Sequence, residues 1–269
     1  LSVAYHTRKS EKSFNSEIGI PLTILGLPSG WNDPVLWLKN LYLGFLQIIV
    51  TRAYPEWLVL EVGADRPGDI RNITKWLKPD IAVITAFAKV PVHVEFFSGR
   101  EEVIREKEYL AHALKHDGIL IVNGDDADAL KIKERSKNIS LIYGTDGVSD
   151  IVASDYQIFY DEEKNIAGLT FKVTHGGNVI PIVMKGTLGT QQIYAALAAL
   201  SVGLSQKINL VKGGEALLSH ETPKGRMKLI PGIKDTLLID DTYNSSPIAA
   251  LAGLRTLKEV KKRKRKIAV

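Results

Sequence analysis

Short apolar runs alternate with helix-like segments between residues 57 and 143, and this alternation constrains the fold more than any other feature. Four apolar runs predict buried strands, at residues 57–62, 80–85, 119–123 and 139–143. The amphipathic segments 69–77 and 100–115 between them predict helices. Strands that alternate with helices pair in parallel through right-handed crossovers. The sequence therefore predicts an α/β fold with a mostly parallel central sheet and helices on both faces.

The pattern changes after residue 150. Residues 151–160 and 166–174 are rich in β-branched and aromatic side chains and flank a polar turn, which predicts a hairpin. A Gly-Gly turn then leads into a further strand over residues 179–184. These strands predict an antiparallel extension of the central sheet, and an Ala- and Leu-rich helix is expected over residues 190–204.

A domain boundary is expected near Pro223, which divides the chain into residues 1–222 and residues 223–269. In the second part an apolar run, residues 236–240, predicts a strand. Pro247 suits the first turn of the helix that follows it.

Composition excludes several classes of protein. A hydrophobic content of 45% is too high for a disordered chain, and the absence of cysteine excludes disulfides and thiolate zinc sites. The net charge of +5 suits a protein that binds anions such as nucleotides. Much of the excess lies in the basic run 261–266, which lacks the interleaved aromatic residues of a nucleic-acid surface. We therefore expect no nucleic-acid partner.

The apolar segment 35–50 is too short to span a membrane and contains polar residues. Its apolar residues recur at helical spacing: Val35, Leu38, Leu41, Phe45 and Ile48. This pattern predicts an amphipathic helix packed on a core, in preference to a helix on a membrane surface. No signal peptide or targeting segment is visible, and we expect a cytoplasmic protein without membrane insertion.

Three segments in the α/β region carry candidate chemistry. The apolar run at 57–62 delivers Glu61 to the carboxyl end of a strand, where open α/β sheets bind ligands and where a carboxylate either holds Mg²⁺ or lies in solvent. His93 follows the next strand and would lie near Glu61 in a parallel sheet, although a lone histidine is more often structural. The Arg105-Glu106-Lys107 triplet, by itself, predicts an exposed charged helix face.

Together these segments resemble the central domain of the Mur ligase family. The motifs are Glu-x-Gly-Ala-x-x-Pro-Gly-Asp-Ile from Glu61, His-x-Glu-x-Phe from His93, Glu-Lys-x-x-Leu from Glu106 and Asn-Gly-Asp-Asp from Asn123. Two further runs, Asn15–Thr23 and Asp240–Pro247, resemble the MurF type of Mur ligase. Several motifs in one order are far more specific than any one of them.

The resemblance implies a set of Mg²⁺ ligands. Glu61 and His93 match the acid and the histidine that bind Mg²⁺ in the family, and Asn15 matches a residue beside the nucleotide and metal. Lys107 matches a lysine that is carbamylated in many Mur ligases, and its carbamate would be a further Mg²⁺ ligand. Carbamylation requires a neutral amine and therefore a lowered lysine pKa.

The resemblance also implies a nucleotide side. Arg226 matches an arginine that contacts the phosphates of ATP, and Asp241 matches an acid that binds the ribose hydroxyls. Gln192 falls in the register of a family amide that reaches adenine. Ala195 replaces the residue that makes a second adenine contact, so adenine recognition departs from the family pattern. Among these residues Lys107, His93 and Arg226 are the catalytic candidates.

The implied activity is that of an ATP- and Mg²⁺-dependent amide ligase of peptidoglycan precursor synthesis. Such an enzyme activates the carboxylate of a UDP-MurNAc-peptide as an acyl phosphate and joins it to D-alanyl-D-alanine. The implied fold is a P-loop-type central domain followed by the start of a Rossmann-like α/β domain, in a monomer. No Gly-x-x-Gly-Lys-Thr/Ser occurs in these residues. Because both chain ends are predicted to be cut, we expect that loop upstream and an inactive fragment.

Two alternatives remain open. MurE-like and folylpolyglutamate synthase-like ligases share the ATPase machinery but join other amines. A degenerate Mur-like domain would instead be a non-catalytic scaffold, although such a domain has no reason to keep metal and nucleotide ligands.

Overall fold

The structure is a computed structural model, and it describes residues 1–11, 13–50, 53–89, 96–163, 165–234, 236–243, 246–261 and 265–269. The chain folds as two compact units, which are described separately below. The first comprises Leu1–Lys78 with His93–Ala113, and the second comprises Pro79–Val92 with Leu114–Val269. The division at residue 223 expected from the sequence stays a prediction.

The first unit is built on a parallel pair of short strands. The strands are β1 (Thr7–Lys9) and β2 (Trp57–Val59), and the helices are α1 (Gly19–Leu25), α2 (Pro34–Val50), α3 (Asp69–Trp76) and α4 (Arg100–His112). Helices α3 and α4 pack against each other and bury apolar residues such as Ile70, Ile73 and Ile104. Their packing places Glu106 of α4 at the beginning of α3.

The second unit contains a six-stranded mixed sheet whose strands follow chain order. They are β3 (Ile81–Ile84), β4 (Ile119–Asn123), β5 (Ile139–Gly144), β6 (Ile151–Tyr160), β7 (Ile166–His175) and β8 (Asn178–Lys185). Strands β3 to β6 pair in parallel, and β6, β7 and β8 pair antiparallel. The predicted α/β class, the parallel pairing of the strands at 80–85, 119–123 and 139–143, and the antiparallel extension are confirmed. The strand predicted at 57–62 instead pairs with β1 in the first unit.

Helices cover this sheet and complete its core. Helix α5 (Ala127–Arg135) contacts β4, α6 (Thr190–Ser205) contacts β4, β5 and β6, and α7 (Leu210–Leu218) contacts β8. The core includes Tyr143, Phe171 and Leu197, each at most 1% exposed.

The end of the second unit forms a small hairpin and a helix. Strands β9 (Lys228–Pro231) and β10 (Leu237–Asp240) pair antiparallel, and α8 (Pro247–Glu259) follows. The Ser246 hydroxyl accepts a hydrogen bond from the Ala249 amide at 3.2 Å, which caps the helix, and Pro247 occupies its first turn. The helix start predicted from Pro247 is confirmed.

The apolar face of α2 is exposed, so the prediction that it packs on a core is wrong. The five residues that defined this face are 61–79% exposed. It is the opposite face, with Asn40 and Gly44, that is buried. Among the described residues, none of the helices has the length and hydropathy needed to cross a membrane.

Candidate functional site

Glu61 lies just beyond the carboxyl end of β2, as predicted, and it is exposed. The Glu61 amide donates to the Ser10 hydroxyl at 3.2 Å, and the Ser10 amide donates to the Val59 carbonyl at 3.0 Å. These two bonds continue the pairing of β1 with β2 past the strand ends. They fix the backbone of Glu61 while its carboxylate stays accessible to a ligand.

Asn15 lies directly beside Glu61, so the structure brings these two predicted residues together. The Asn15 amide Nδ2 donates to Glu61 Oε1 at 3.2 Å, and the Asn15 carbonyl accepts from the Gly63 amide at 2.9 Å. A Cβ atom on Gly63 would lie 2.9 Å from Asn15 Nδ2, closer than real contacts allow. The glycine at this position therefore lets the Asn15 side chain reach the carboxylate.

A polar pocket of about 350 Å³ opens beside this pair. Its lining residues are Asn15, Ser16, Glu17, Ile18, Gly63, Asp65, Arg66 and Asp69. They come from the segment before α1 and from the loop between β2 and α3. The pocket therefore sits at the carboxyl end of β2, where a ligand of Glu61 would be expected.

Asp69 organises the loop between β2 and α3. Its Oδ2 accepts from the Asp65 amide at 2.9 Å and from the Arg66 amide at 2.8 Å. The Arg66 guanidinium lies over the Phe96 ring at 4.7 Å, a cation–π contact that holds the side chain at the rim. The loop is thus held by Asp69 at the start of α3 and by Phe96 from the segment before α4.

Glu106 holds the beginning of α3 from the neighbouring helix α4. Its carboxylate accepts from the Gly68 amide at 3.0 Å and from the Arg71 amide at 2.9 Å, and the residue is 5% exposed. A carboxylate at a helix N-terminus satisfies free N–H groups and favours the helix dipole. The exposed charged face that the triplet alone predicts is therefore wrong for Glu106.

The other predicted metal-side residues lie outside the pocket or outside the described residues. His93 is among the residues that the structure does not describe. Lys107 is half-buried on α4 and is not among the pocket-lining residues. Within the described part of the chain, no group of three or more histidine or acidic side chains is arranged to hold a metal.

In the second unit, Gln192 and Arg226 contact each other. The Gln192 Nε2 donates to the Arg226 carbonyl at 3.1 Å, and the Arg226 guanidinium lies over the Tyr243 ring at 4.2 Å. Gly225 allows this arrangement because its φ is +72° and because a Cβ there would lie 2.7 Å from the Tyr243 amide nitrogen. The structure therefore groups Arg226 with two side chains from distant parts of the sequence.

Asp240 and Asp241 have opposite environments although they are adjacent. Hydrogen bonds from the Thr242 hydroxyl at 2.7 Å and the Gly225 amide at 2.9 Å hold the pKa of Asp240 below its ordinary value. Burial raises the pKa of Asp241, and the Met227 amide and the Arg226 charge offset only part of that effect. Asp240 therefore has a structural role, whereas Asp241 is a partly buried carboxylate that a ligand could stabilise.

The comparisons with known proteins decide the family. Residues 40–203 match the family model described as the Mur ligase middle domain, which is more than half of the chain. This chain belongs to the Mur ligase family.

The individual Mur ligases that the chain resembles are of the MurF type. It is 26% identical over 257 residues to the UDP-N-acetylmuramoyl-tripeptide–D-alanyl-D-alanine ligase of Bacillus subtilis (strain 168), covering 95% of this chain and 48% of that protein. It is also similar to the structure of MurF ligase from Thermotoga maritima in complex with ADP. That match has a TM-score of 0.74 and 26% identity, and covers 96% of this chain and 52% of the other.

The structure of MurF from Acinetobacter baumannii gives a TM-score of 0.77 at 22% identity, over 97% of this chain and 50% of the other. At that identity the likeness concerns the fold alone, and the fold is MurF-like. The chain spans about half the length of these relatives.

The residues of the first unit fit part of a Mg²⁺ site of the kind expected in a Mur ligase. Proteins usually hold Mg²⁺ through one or two carboxylates, with waters and substrate phosphates completing the shell. Glu61 supplies an exposed carboxylate, and its neighbour Asn15, which lines the pocket, supplies an amide. This donor set is hard and oxygen-rich, which suits Mg²⁺ rather than a softer metal.

Asp125, in the Asn-Gly-Asp-Asp motif, was assigned no role from its sequence, and the structure shows that it joins two elements. Its Oδ2 accepts from the Tyr194 hydroxyl and from the Thr145 hydroxyl, each at 2.8 Å. Asp125 thus links the end of β4 to α6, the helix that carries Gln192.

Proposed function

We propose that the protein containing this chain is a cytoplasmic, ATP- and Mg²⁺-dependent amide ligase of peptidoglycan precursor synthesis. It would join the carboxylate of a UDP-MurNAc-tripeptide to D-alanyl-D-alanine. The observation that carries the proposal is the hydrogen-bonded Glu61–Asn15 pair beside a polar pocket at the carboxyl end of β2. The resemblance to MurF ligases over 95% of the chain supports the choice of substrates.

In the first unit, Glu61 and Asn15 would bind the Mg²⁺ that accompanies the nucleotide phosphates. Bound Mg²⁺ supplies charge neutralisation for the phosphates during transfer. Ser10 and Gly63 fix the backbone positions of Glu61 and Asn15, so the carboxylate is oriented before any ligand arrives. His93 and a carbamylated Lys107 remain the proposed further ligands.

In the second unit, Arg226 would contact the phosphates and Asp241 the ribose hydroxyls. Hydroxyl donors would stabilise the Asp241 carboxylate, whose burial otherwise disfavours its charge. Gln192 already donates its amide hydrogens to Arg226, and its Oε1 is an acceptor that suits the exocyclic amine of adenine. The hydrogen bond from Gln192 to the Arg226 carbonyl explains why an amide side chain occurs at residue 192.

The proposed reaction has two steps. The substrate carboxylate attacks the γ-phosphorus of ATP, a carboxyl–phosphate bond forms, and ADP leaves. The amine of the dipeptide then attacks the activated carbonyl, an amide forms, a proton is released and inorganic phosphate leaves. Arg226 would offset the negative charge that develops on the transferring phosphoryl group.

An amine-dependent phosphate-release assay on the complete protein tests this function. With ATP, Mg²⁺ and UDP-MurNAc-tripeptide, we expect release that depends on D-alanyl-D-alanine. Release that depends on diaminopimelate or glutamate instead would assign the protein to another ligase type. No release with any amine, together with no binding of nucleotide, would favour the scaffold alternative.

A further inference from the structure

Met227 has an unusual backbone conformation for a buried residue. Its φ is +58°, in the left-handed region that residues with a Cβ rarely adopt. Among the described residues other than glycine that have such a φ, Met227 alone is buried, at 1% exposure, and the others lie at the surface. A strained conformation persists where the surrounding structure enforces it, and such strain concentrates at functional sites.

The Met227 side chain is enclosed by an apolar cluster of the second unit. It packs with Ile166, Leu188 and Val260, each at most 8% exposed. Its Cε lies so near Gly189 that a Cβ on that glycine would be 3.1 Å away. Burial of the side chain therefore opposes any change in backbone conformation that would carry it into solvent.

Both backbone polar groups of Met227 are hydrogen-bonded to other segments. Its carbonyl accepts from the Thr187 hydroxyl and from the Leu188 amide, each at 3.2 Å, just before α6. Its amide donates to the Asp241 carboxylate. Met227 thus joins the segment before α6 to the carboxylate that is the candidate ligand of the ribose.

The position of Met227 affects two candidate nucleotide ligands at once. It lies between Arg226 and β9, whose first residue Lys228 pairs with Asp240, the last residue of β10. Arg226 and Asp241 therefore leave the same end of the hairpin that β9 and β10 form. A different φ at Met227 would redirect the Arg226 side chain and would move the amide that donates to Asp241.

We propose that Met227 is a positioning residue for the nucleotide, and that its left-handed backbone holds Arg226 and Asp241 in the arrangement that binds ATP. The inference rests on the proposed function, in which Arg226 contacts the phosphates and Asp241 contacts the ribose. Burial of the side chain and the hydrogen bonds of its backbone offset the strain. The two ligands are oriented before ATP arrives, so binding carries a smaller ordering cost.

Two isomeric substitutions separate the backbone conformation from side-chain burial. Leucine and isoleucine contain the same atoms, but the β-branched isoleucine strongly disfavours a positive φ. In the complete protein Met227→Ile should weaken ATP binding by about 10-fold, whereas Met227→Leu should retain most of the affinity. Isothermal titration calorimetry measures both. Leu229→Ile is the matched control in the same apolar cluster but within β9, and it should bind ATP as the wild type does.

Glycine and alanine provide a second pair in which burial and backbone conformation predict opposite orders. Glycine adopts a positive φ freely, so Met227→Gly should bind ATP more tightly than Met227→Ala, although alanine buries more apolar surface. This pair tests the proposal even where Met227→Ile does not fold. Tighter or equal binding by the alanine variant would overturn the inference.

Binding of the second substrate distinguishes positioning from a general loss of structure. Met227→Ile should leave the affinity for UDP-MurNAc-tripeptide unchanged, because Arg226 and Asp241 are proposed ligands of the nucleotide. Combined with Arg226→Ala, it should weaken ATP binding by less than the product of the two separate effects, because it acts partly through Arg226.

The outcomes separate this inference from the proposed function. Equal ATP affinities in Met227→Ile and Met227→Leu, or a loss of affinity shared by both substrates, would overturn the positioning role alone. A wild-type complete protein that binds no ATP would overturn the proposed function and the positioning role with it.

Discussion

The two units prepare their candidate ligand groups in different ways. In the first, the Glu61 amide bonds to the Ser10 hydroxyl and the Asn15 carbonyl to the Gly63 amide, and the Glu61 carboxylate remains exposed. In the second, Gln192 and Arg226 are engaged with each other and with Tyr243. The first arrangement leaves the Glu61 carboxylate exposed beside Asn15, whereas in the second the candidate side chains already contact one another.

The contrast indicates which substitutions should change both stability and activity, and which should change activity alone. Breaking the loop supports of the first unit should change both folding and activity. Removing a ligand group that accepts few internal hydrogen bonds should change activity alone.

Replacing Glu61 with glutamine should abolish most activity and leave the fold intact. The change removes the negative charge but keeps the shape, so we expect the turnover of the complete protein to fall by about 100-fold or more. Amine-dependent phosphate release measures it. Glu134→Gln, at an exposed position on α5, is the control and should keep full activity. Comparable turnover in both variants would remove Glu61 from the site.

Replacing Glu106 with alanine should destabilise the first unit. The amides of Gly68 and Arg71 would lose a charged acceptor in a buried setting, which costs about 2–3 kcal/mol of unfolding free energy. Urea denaturation measures the loss. Arg105→Ala, an exposed position in the interior of the same helix, should change stability by less than about 0.5 kcal/mol. Similar losses in the two variants would contradict the capping role.

Asp240 and Asp241 should respond with opposite signs in the second unit. The lowered pKa of Asp240 means that its ionised form stabilises the fold, so Asp240→Asn should lower the Tm at neutral pH. The raised pKa of Asp241 means that its ionised form destabilises the fold, so Asp241→Asn should raise the Tm.

Acidification separates the two effects. The gain from Asp241→Asn should vanish as the pH falls to about 4, the ordinary pKa of aspartate, because Asp241 is then protonated. The loss from Asp240→Asn should persist to lower pH. Thermal melts across pH measure both, and shifts of the same sign at neutral pH would show that the two carboxyls share one environment.

The sequence predicted the central elements well where local signals were strong. Strand β4 was predicted with its observed bounds because an apolar run there is enclosed by Gly118 and Asn123-Gly124. Strand β2 ends at Val59, three residues earlier than predicted, because its partner β1 ends at Lys9, opposite Val59. Helix α7 was not predicted because Gly213 and Gly214 disfavour a helix locally. Gly214 is explained by a close approach to Ile182 on β8.

The failures concern contacts between segments rather than local structure. Helical spacing found the apolar face of α2 correctly, but spacing says nothing about what covers that face. Charge patterning described Glu106 as exposed because the free amides it satisfies lie 35 and 38 residues earlier in the chain. The nearness of Glu61 to Asn15 was anticipated only through the family resemblance. Spacing alone does not bring the two together.

Metal binding to the complete protein shows whether Glu61 is a ligand of the nucleotide-associated cation. Mn²⁺ can replace Mg²⁺, and its paramagnetic resonance signal reports binding in the presence of ATP to the complete protein. We expect Glu61→Gln to weaken Mn²⁺–nucleotide binding by about 10-fold or more, while Glu134→Gln binds as the wild type does. Equal binding by all three proteins would place the metal elsewhere and contradict the account.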